Sequence, residues 1–442
     1  MGQDGPVRNC QNAGGMKHSL IIMFCALVVV PVPAAFCQVS GFGSLAYGYH
    51  ESPLNNYENI PDRLTQGYIE LNALRESPQT RLGLGYVGGY TGFETFNDRN
   101  YYEHSLTGSI TTTLNKRVMS RPSTPVRVSD DTTGEDQEST PATDFTINSL
   151  LFALKASARH DKLEHRDFDN YAGELLVAYK PAIGRNARLS VTNTAGYRNY
   201  TRLPELSNIT ESLAARLGRR VGGTLEFGIQ ATGGLKYYTS AVYDTALFES
   251  QRTYVQQASG KGKGGAKLLV PSSKQILISP GTSRSFQISP GVYLTETWSQ
   301  GSFQSEILYR NNLGTATRYL AQYVNTTFLS EDIYNDHFSY GGPGIRMLYR
   351  QQLPWGFRSS LNVEGDRKEF SAPALDLEGA QIADRRLDNR VFAEWELSHS
   401  IHLSGNLDLD VTVTTSYIRN QSNDNYNDFS AFSVATSMGI GF

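Results

Sequence analysis

The stretch FSVATSMGIGF, residues 432–442, alternates between two kinds of side chain at every step. The odd positions hold only Ser, Ala or Gly, whereas the even positions hold apolar residues and one threonine. The even positions are Phe432, Val434, Thr436, Met438, Ile440 and Phe442. Because successive side chains of a strand point to opposite faces, this stretch predicts a β-strand with one apolar face and one face of small residues.

The same period of two continues over most of the chain. It is clearest in LSGNLDLDVTVTTSY (403–417), RRLDNRVFAEWELS (385–398) and TLEFGIQATGGLKY (224–237), where the second face is polar or charged. Such segments are longer than the five or six residues usual in globular sheets, and roughly ten residues of a tilted strand cross a bilayer. A closed barrel turns the apolar face to lipid and leaves no open edge, whereas a soluble sandwich would expose long flat edges.

The connections between these segments favour the barrel. Short ones such as SPQT (77–80), GRRVGG (218–223) and LPWG (353–356) alternate with longer polar ones such as RHDKLEHRDFDN (159–170). Short inner turns and long outer loops are typical of outer-membrane barrels. The sequence therefore predicts an all-β fold, a transmembrane antiparallel up-and-down β-barrel over residues 38–442, with about 16 strands and a range of roughly 14 to 18.

Two insertions interrupt the strand pattern. Residues 115–143 are polar, basic first and then acidic, a composition typical of disorder, and strand parity places them on the periplasmic side. Residues 241–283 contain SGKGKGGAK and are expected to form the longest outer loop or a plug that folds inward.

Residues 1–37 are interpreted as an N-terminal extension and a cleaved signal peptide. The stretch from Met16 has a basic start, an apolar core and small residues before a cut, which is the layout of a secretory signal. We expect cleavage after Cys37, and translation from either Met1 or Met16. Since Cys10 and Cys25 also precede the cut, the mature chain is predicted to be cysteine-free, without disulfides or thiolate metal sites.

Composition and motifs exclude several function classes. The formal net charge of −3 argues against a nucleic-acid partner, which usually selects basic proteins. No GxxxxGK[ST] or GxSxG motif occurs, so no P-loop or esterase nucleophile is predicted. The segment RHDKLEHRDFD (159–169) brings His160, Asp161, His165, Asp167 and Asp169 near one loop, where an Asp–His pair could activate water at a barrel rim, but no partner set is identifiable elsewhere. We therefore predict no enzymatic activity, no cofactor and no metal.

The C-terminal strand resembles the C-terminal signal of Gram-negative outer-membrane β-barrel proteins. The matching residues are Val434, Met438, Ile440 and Phe442, together with Phe432. The resemblance implies recognition by the barrel-assembly machinery, closure of this strand onto the first, and location in the bacterial outer membrane. The last third, through LPWG, PALDLEG and RNQSNDNYNDFS, is also similar to uncharacterised porin-like outer-membrane barrels, from which no functional residue is transferred.

The charged face of the last strands is the candidate functional surface. Charged rows can set the solute preference of a water-filled pore, or they can pair across strands and fill the lumen. The pore-lining candidates are Arg310, Arg346, Arg350, Arg358, Glu364, Asp366, Arg390, Glu394, Glu396, Asp408 and Asp410; Lys368, Arg386 and Asp388 share this face.

Two functions follow from this interpretation. The first is a porin-like channel for passive diffusion of small hydrophilic solutes or ions. The alternative is a non-transporting barrel that acts as an assembly or surface-interaction platform through its outer loops. The expected partners are outer-membrane lipid, the assembly machinery, the solute and, as an open possibility, further copies of the chain.

Overall fold

The structure, a computed structural model, contains nineteen strands in the part of the chain that it describes. The described residues are 38–53, 60–119, 144–162, 169–181, 183, 186–202, 204–239, 249–256, 267–278, 284–313, 318–321, 337–376 and 381–442. The strands are β1 (Gln38–His50), β2 (Asp62–Glu76), β3 (Thr80–Phe93), β4 (Tyr101–Met119), β5 (Asp144–Asp161), β6 (Asn170–Lys180), β7 (Ala187–Tyr200), β8 (Asn208–Val221), β9 (Leu225–Tyr238), β10 (Glu249–Gln256), β11 (Lys267–Ile278), β12 (Arg284–Trp298), β13 (Gly301–Asn312), β14 (Arg318–Ala321), β15 (Tyr340–Gln352), β16 (Phe357–Leu375), β17 (Gln381–Ser404), β18 (Leu407–Ser422) and β19 (Phe429–Gly441).

Sixteen of these strands form one closed antiparallel barrel. Each pairs with its neighbours in the chain, except that β9 pairs with β12, β13 pairs with β15, and β1 pairs with β19 to close the ring. The predicted fold class and the predicted number of strands are confirmed. Within the described residues, no helix is long and apolar enough to span a membrane.

The two ends of the barrel differ in their connections. The end called here the turn end carries the short connections at 222–224, 299–300, 353–356 and 405–406, and β4 and β5 are also joined at this end, through residues 120–143. The opposite end, called here the loop end, carries the remaining longer connections. The tight turn between β8 and β9 depends on Gly222 and Gly223, whose φ angles of 63° and 86° lie in the left-handed region that glycine tolerates.

The two faces of the wall separate apolar from polar side chains. The strand registers place the alternating apolar residues on the outside, where side chains such as Leu45, Ile229 and Met438 are exposed. Charged residues such as Asp366 and Asp388 point inward. The even residues of the C-terminal stretch face outward, and Met438 and Phe442 are each 60% exposed. This is the arrangement of a barrel that stands in lipid and encloses a polar interior.

Two aromatic rings pack against glycines at the seam, the place where β1 pairs with β19 and closes the barrel. Phe442 and Gly41 exchange backbone hydrogen bonds of 2.9 and 3.0 Å. On the outer face the ring of Phe442 covers Gly41, since a Cβ there would lie 2.5 Å from ring atom Cζ. On the inner face the ring of Phe42 covers Gly439. The small residues on one face of the terminal strand therefore leave room for an aromatic side chain of the first strand.

The remaining strands form a separate three-stranded sheet in the order β10–β11–β14. Strands β10 and β11 lie within residues 241–283, and the sequence analysis did not anticipate strands there. The predicted signal peptide and all three cysteines lie outside the described residues, as does 120–143, most of the predicted disordered insertion. These predictions stay untested.

Candidate functional site: the inner face of the barrel

All eleven pore-lining candidates belong to the inward-facing set of their strands. They lie on the five consecutive barrel strands β13, β15, β16, β17 and β18, and pairs such as Arg346 with Glu364 and Asp366 with Arg390 lie side by side. Their environments differ with height in the barrel. Those near the loop end are buried, whereas those from the middle to the turn end are partly or fully accessible.

Near the loop end, Arg310 and Asp366 form a buried ion pair. Arg310 Nη1 donates to Asp366 Oδ1 over 2.7 Å, and the two side chains are 6% and 9% exposed. The bond spans strand β15, which lies between β13 and β16. It passes over Gly344, where a Cβ would lie 2.6 Å from Asp366 Oδ1 and 3.2 Å from Arg310 Nη1. The absence of a side chain at this position leaves the space that the pair occupies.

A second buried pair, Arg386 with Asp388, lies on β17. Arg386 Nε donates to Asp388 Oδ1 over 3.0 Å, and Ser422 Oγ and Asn420 Nδ2 donate to the same carboxylate over 2.6 and 3.2 Å. The arginine also stacks on the ring of Phe370, on the preceding strand, at 4.2 Å. Because every acceptor oxygen has a donor, this pair can remain charged although Asp388 is almost completely buried.

The same local arrangement recurs on β5. Arg159 donates from Nε and Nη2 to Asp161 over 2.9 and 2.7 Å, and it stacks on Tyr101 of the preceding strand at 4.1 Å. The sequence analysis missed this pair as an inner-wall element. The sequence contains a signal for it. The Arg and Asp of an Arg-x-Asp motif are two residues apart, so in a strand both side chains point to the same face.

His160 lies on the opposite face from Asp161. Its Nδ1 is 4.0 Å from Asp169 Oδ2, and its ring contacts Tyr171 edge-on at 5.7 Å. Asp161 pairs instead with Arg159, so Asp169 is the described carboxylate that lies beside His160. His165 lies outside the described residues. Within the described part of the chain, no group of three or more His, Cys, Asp or Glu is arranged to hold a metal ion.

Buried inward-facing residues form a belt around the loop end, and every barrel strand except β6 contributes one. This buried belt consists of His50, Leu64, Phe93, Tyr101, Asp161, Tyr200, Asn208, Lys236, Ser285, Arg310, Tyr340, Lys368, Asp388, Asn420 and Ala431.

Connections of the loop end contact the belt and its neighbours at several places. Phe96 packs on three of its aromatic and aliphatic members. Asn312 Nδ2 donates to the carbonyl of Phe338 over 3.0 Å, and Asn420 Nδ2 donates to the carbonyl of Asn427. These contacts hold parts of the loop-end connections against the inner wall.

From the middle of the barrel to the turn end the inner charges are accessible. Arg346, Arg350 and Arg358 are exposed, although they face inward. The acidic candidates Glu364, Glu394, Glu396, Asp408 and Asp410 are partly exposed. His402 Nδ1 lies 2.9 Å from Asp408 Oδ1 at the turn end. The interior thus combines a packed, ion-paired region near the loop end with a charged region that solvent can enter.

A closed barrel of this size, with an apolar outer face and a charged inner face, defines the chain as a transmembrane β-barrel of the outer-membrane class. The family model described as "surface lipoprotein assembly modifier" matches residues 300–440, which include β13 and β15 to β18, the strands that carry the candidate residues. This match covers less than half of the chain. No curated protein matches the sequence.

Solved structures with some likeness to the chain include outer-membrane proteins of two bacteria. OccAB1 of Acinetobacter baumannii is 10% identical, with a TM-score of 0.45, and the likeness covers 92% of this chain and 97% of that one. OpdK of Pseudomonas aeruginosa is 9% identical, with a TM-score of 0.41, and the likeness covers 92% and 99%. The barrel architecture of the chain is established by its own strand pairing.

Proposed function

We propose that the protein is an outer-membrane channel through which small hydrophilic solutes and ions diffuse passively. The observation that carries this proposal is the set of inward-facing guanidinium groups, Arg346, Arg350 and Arg358, that remain exposed inside a closed barrel. If the inner charges served only to fill a polar core, they would be buried and paired throughout, as Arg310 and Asp366 are. A barrel of 16 strands is wide enough to hold water between its walls.

Single-channel conductance across a planar bilayer tests this proposal, after heat-modifiable gel migration has shown that the barrel is folded. The expected result is stable open steps whose size rises with salt concentration. Arg350→Gln should shift the reversal potential toward cation preference and Glu394→Gln toward anion preference, because each removes one charge from the inner wall. Arg367→Gln is the matched control, since Arg367 is exposed on the outer face.

A folded barrel that stays silent at all voltages would overturn the channel proposal. A shift of equal size in the Arg367 variant would show that the selectivity does not come from the inner wall.

A second candidate function is the assembly of surface lipoproteins. It is favoured by the family-model match over residues 300–440. The test compares host cells with and without the gene, using protease added outside the cell to measure how much of each lipoprotein is surface-exposed. Loss of exposed lipoprotein on deletion, restored by the intact gene, would support this function. Unchanged exposure of every lipoprotein would contradict it.

A further inference from the structure

A cavity of about 260 Å³ lies in the inner wall of β5 to β9, away from the acidic and basic candidates on β13 to β18. Its lining includes the side chains of Lys155, Arg198 and Lys236 and the short segment His337–Phe338. Nothing in the proposed channel function uses this cavity.

The cavity exists because its floor lacks large side chains. One cross-strand row runs through Lys155, Glu174, Gly196, Thr210 and Lys236, so the middle of the row is a glycine. The next row toward the loop end contains Ala172 beside Arg198. Between these larger neighbours the wall is recessed.

An aromatic ring covers one side of the recess. The ring of Phe338 rests on Gly234, where a Cβ would lie 2.8 Å from ring atoms Cε1 and Cζ. The ring of His337 lies beside it, with the two centroids 4.3 Å apart. The ring of Phe338 rests on Gly234 and not on Gly196 or Ala172, which also line the cavity. The pocket over Gly196 and Ala172 therefore remains open to the lumen.

The charges of the lining favour an anion. Among the described residues of the lining, Lys155, Arg198 and Lys236 are cationic and Glu174 is acidic. Glu103 on β4 is close enough to interact with Lys155 and Arg198 and offsets part of this charge. The lining also includes the hydroxyl groups of Ser157, Thr194, Thr210 and Ser212, and the amide of Asn208, whose Nδ2 donates to the carbonyl of Leu206 over 2.8 Å. Lysine, arginine and hydroxyl groups are the donors that bind carboxylate and phosphate oxygens.

We propose that this cavity is a binding site for a small solute that bears an oxyanion group, either a carboxylate or a phosphate. Lys155 and Arg198 hold the anionic group, Lys236 supplies a buried positive charge behind it, and the rest of the solute lies over Ala172 and Gly196. The proposal concerns binding, and it stands whether or not the lumen conducts.

Isothermal titration of the full chain, refolded in detergent micelles, tests the proposal with inorganic phosphate and acetate as separate probes. Saturable binding of either probe is expected, and the probe that binds shows whether the site takes a tetrahedral or a planar oxyanion. Lys155→Gln should weaken binding about tenfold, since a charge-assisted hydrogen bond is lost. Arg358→Gln is the matched control, an exposed inward cation on β16, which lies opposite β5.

A second variant separates the cavity from the general field of the lumen. Ala172→Leu fills the recess without changing any charge, so it should abolish binding if the cavity is the site. Lys155 is exposed to the lumen, so its variant keeps the proposal testable if the leucine variant fails to fold. Absence of saturable binding, equal weakening by the Lys155 and Arg358 variants, or full binding by the Ala172 variant would each overturn it.

Discussion

At the scale of single residues, glycines mark the places where another side chain must approach the wall. Gly344 leaves room for the Arg310–Asp366 pair, Gly439 for the ring of Phe42 and Gly234 for the ring of Phe338. Each lies on the inner face, where alternation predicts a side chain of some kind. A glycine in a strand costs conformational entropy. At these three inner-face positions the glycine is explained by the neighbouring side chain that lies directly over it.

We predict that Gly344→Ala destabilises the barrel by breaking the Arg310–Asp366 pair. The new methyl group would occupy the space between the two side chains and leave both charges buried without each other, which costs about 3 kcal/mol. The midpoint of heat unfolding, followed by gel migration, measures the loss. Gly108→Ala is the control, because a Cβ there would meet nothing within 4 Å.

The same substitution separates the ion pair from simple crowding. In a background carrying both Arg310→Gln and Asp366→Asn, no charge is left to isolate, so Gly344→Ala should cost clearly less than in the original protein. An equal loss of stability in both backgrounds would show that the alanine acts only through its volume.

At the scale of elements, the seam between β1 and β19 decides whether the sheet closes. We predict that Gly439→Ala weakens it, since the added Cβ would lie 2.7 Å from Cε2 of Phe42 and overpacking typically costs about 1 to 3 kcal/mol. Gly441→Ala, on the same face of the same strand, meets Phe42 at an ordinary 3.5 Å and serves as the control. The urea concentration at half unfolding measures both.

Removal of the ring should reverse the effect at the seam. Phe42→Ala combined with Gly439→Ala is expected to be more stable than Gly439→Ala alone, because the methyl group then occupies vacated space. If the double variant is the less stable of the two, Phe42 does not contact the position in the folded barrel.

Elements also show where sequence reasoning succeeds and fails. The faces of β17 and β18 follow from their alternation, because a period of two is a local property of the chain. The Arg310–Asp366 pair involves three strands, and its prediction would need the relative registers of β13, β15 and β16, which no local pattern contains. The strands β10 and β11 were missed because residues 241–283 show no sustained alternation.

At the scale of the whole molecule, the barrel is asymmetric along its axis. The loop end is lined by the buried belt, which connections at that end contact, whereas the charged residues from the middle to the turn end are accessible. From the sequence, all the candidate charges were predicted to line the pore in the same way. Alternation shows which face of the strand a residue occupies, but it does not show the position of the residue along the barrel axis or which groups cover it. The position along the barrel axis decides whether a charged side chain is paired in a packed layer or faces water.

This asymmetry predicts which positions a water-soluble thiol reagent can reach in the folded protein. In a background with Cys10, Cys25 and Cys37 replaced by serine, a single cysteine is introduced at one of three positions. Ser400→Cys, exposed on the inner face near the turn end, should react quickly, and Ser285→Cys, 1% exposed within the buried belt, should be protected. Thr436→Cys, exposed on the outer face, should be shielded by lipid in reconstituted vesicles.

All three variants should react equally after unfolding in denaturant, which controls for differences in thiol reactivity. Mass spectrometry of the labelled chain measures the extent of reaction over time. Rapid labelling at Ser285→Cys would mean that the loop end is not packed as described. Rapid labelling at Thr436→Cys in vesicles would mean that the apolar face does not lie in the membrane, because outward side chains of a transmembrane barrel face lipid.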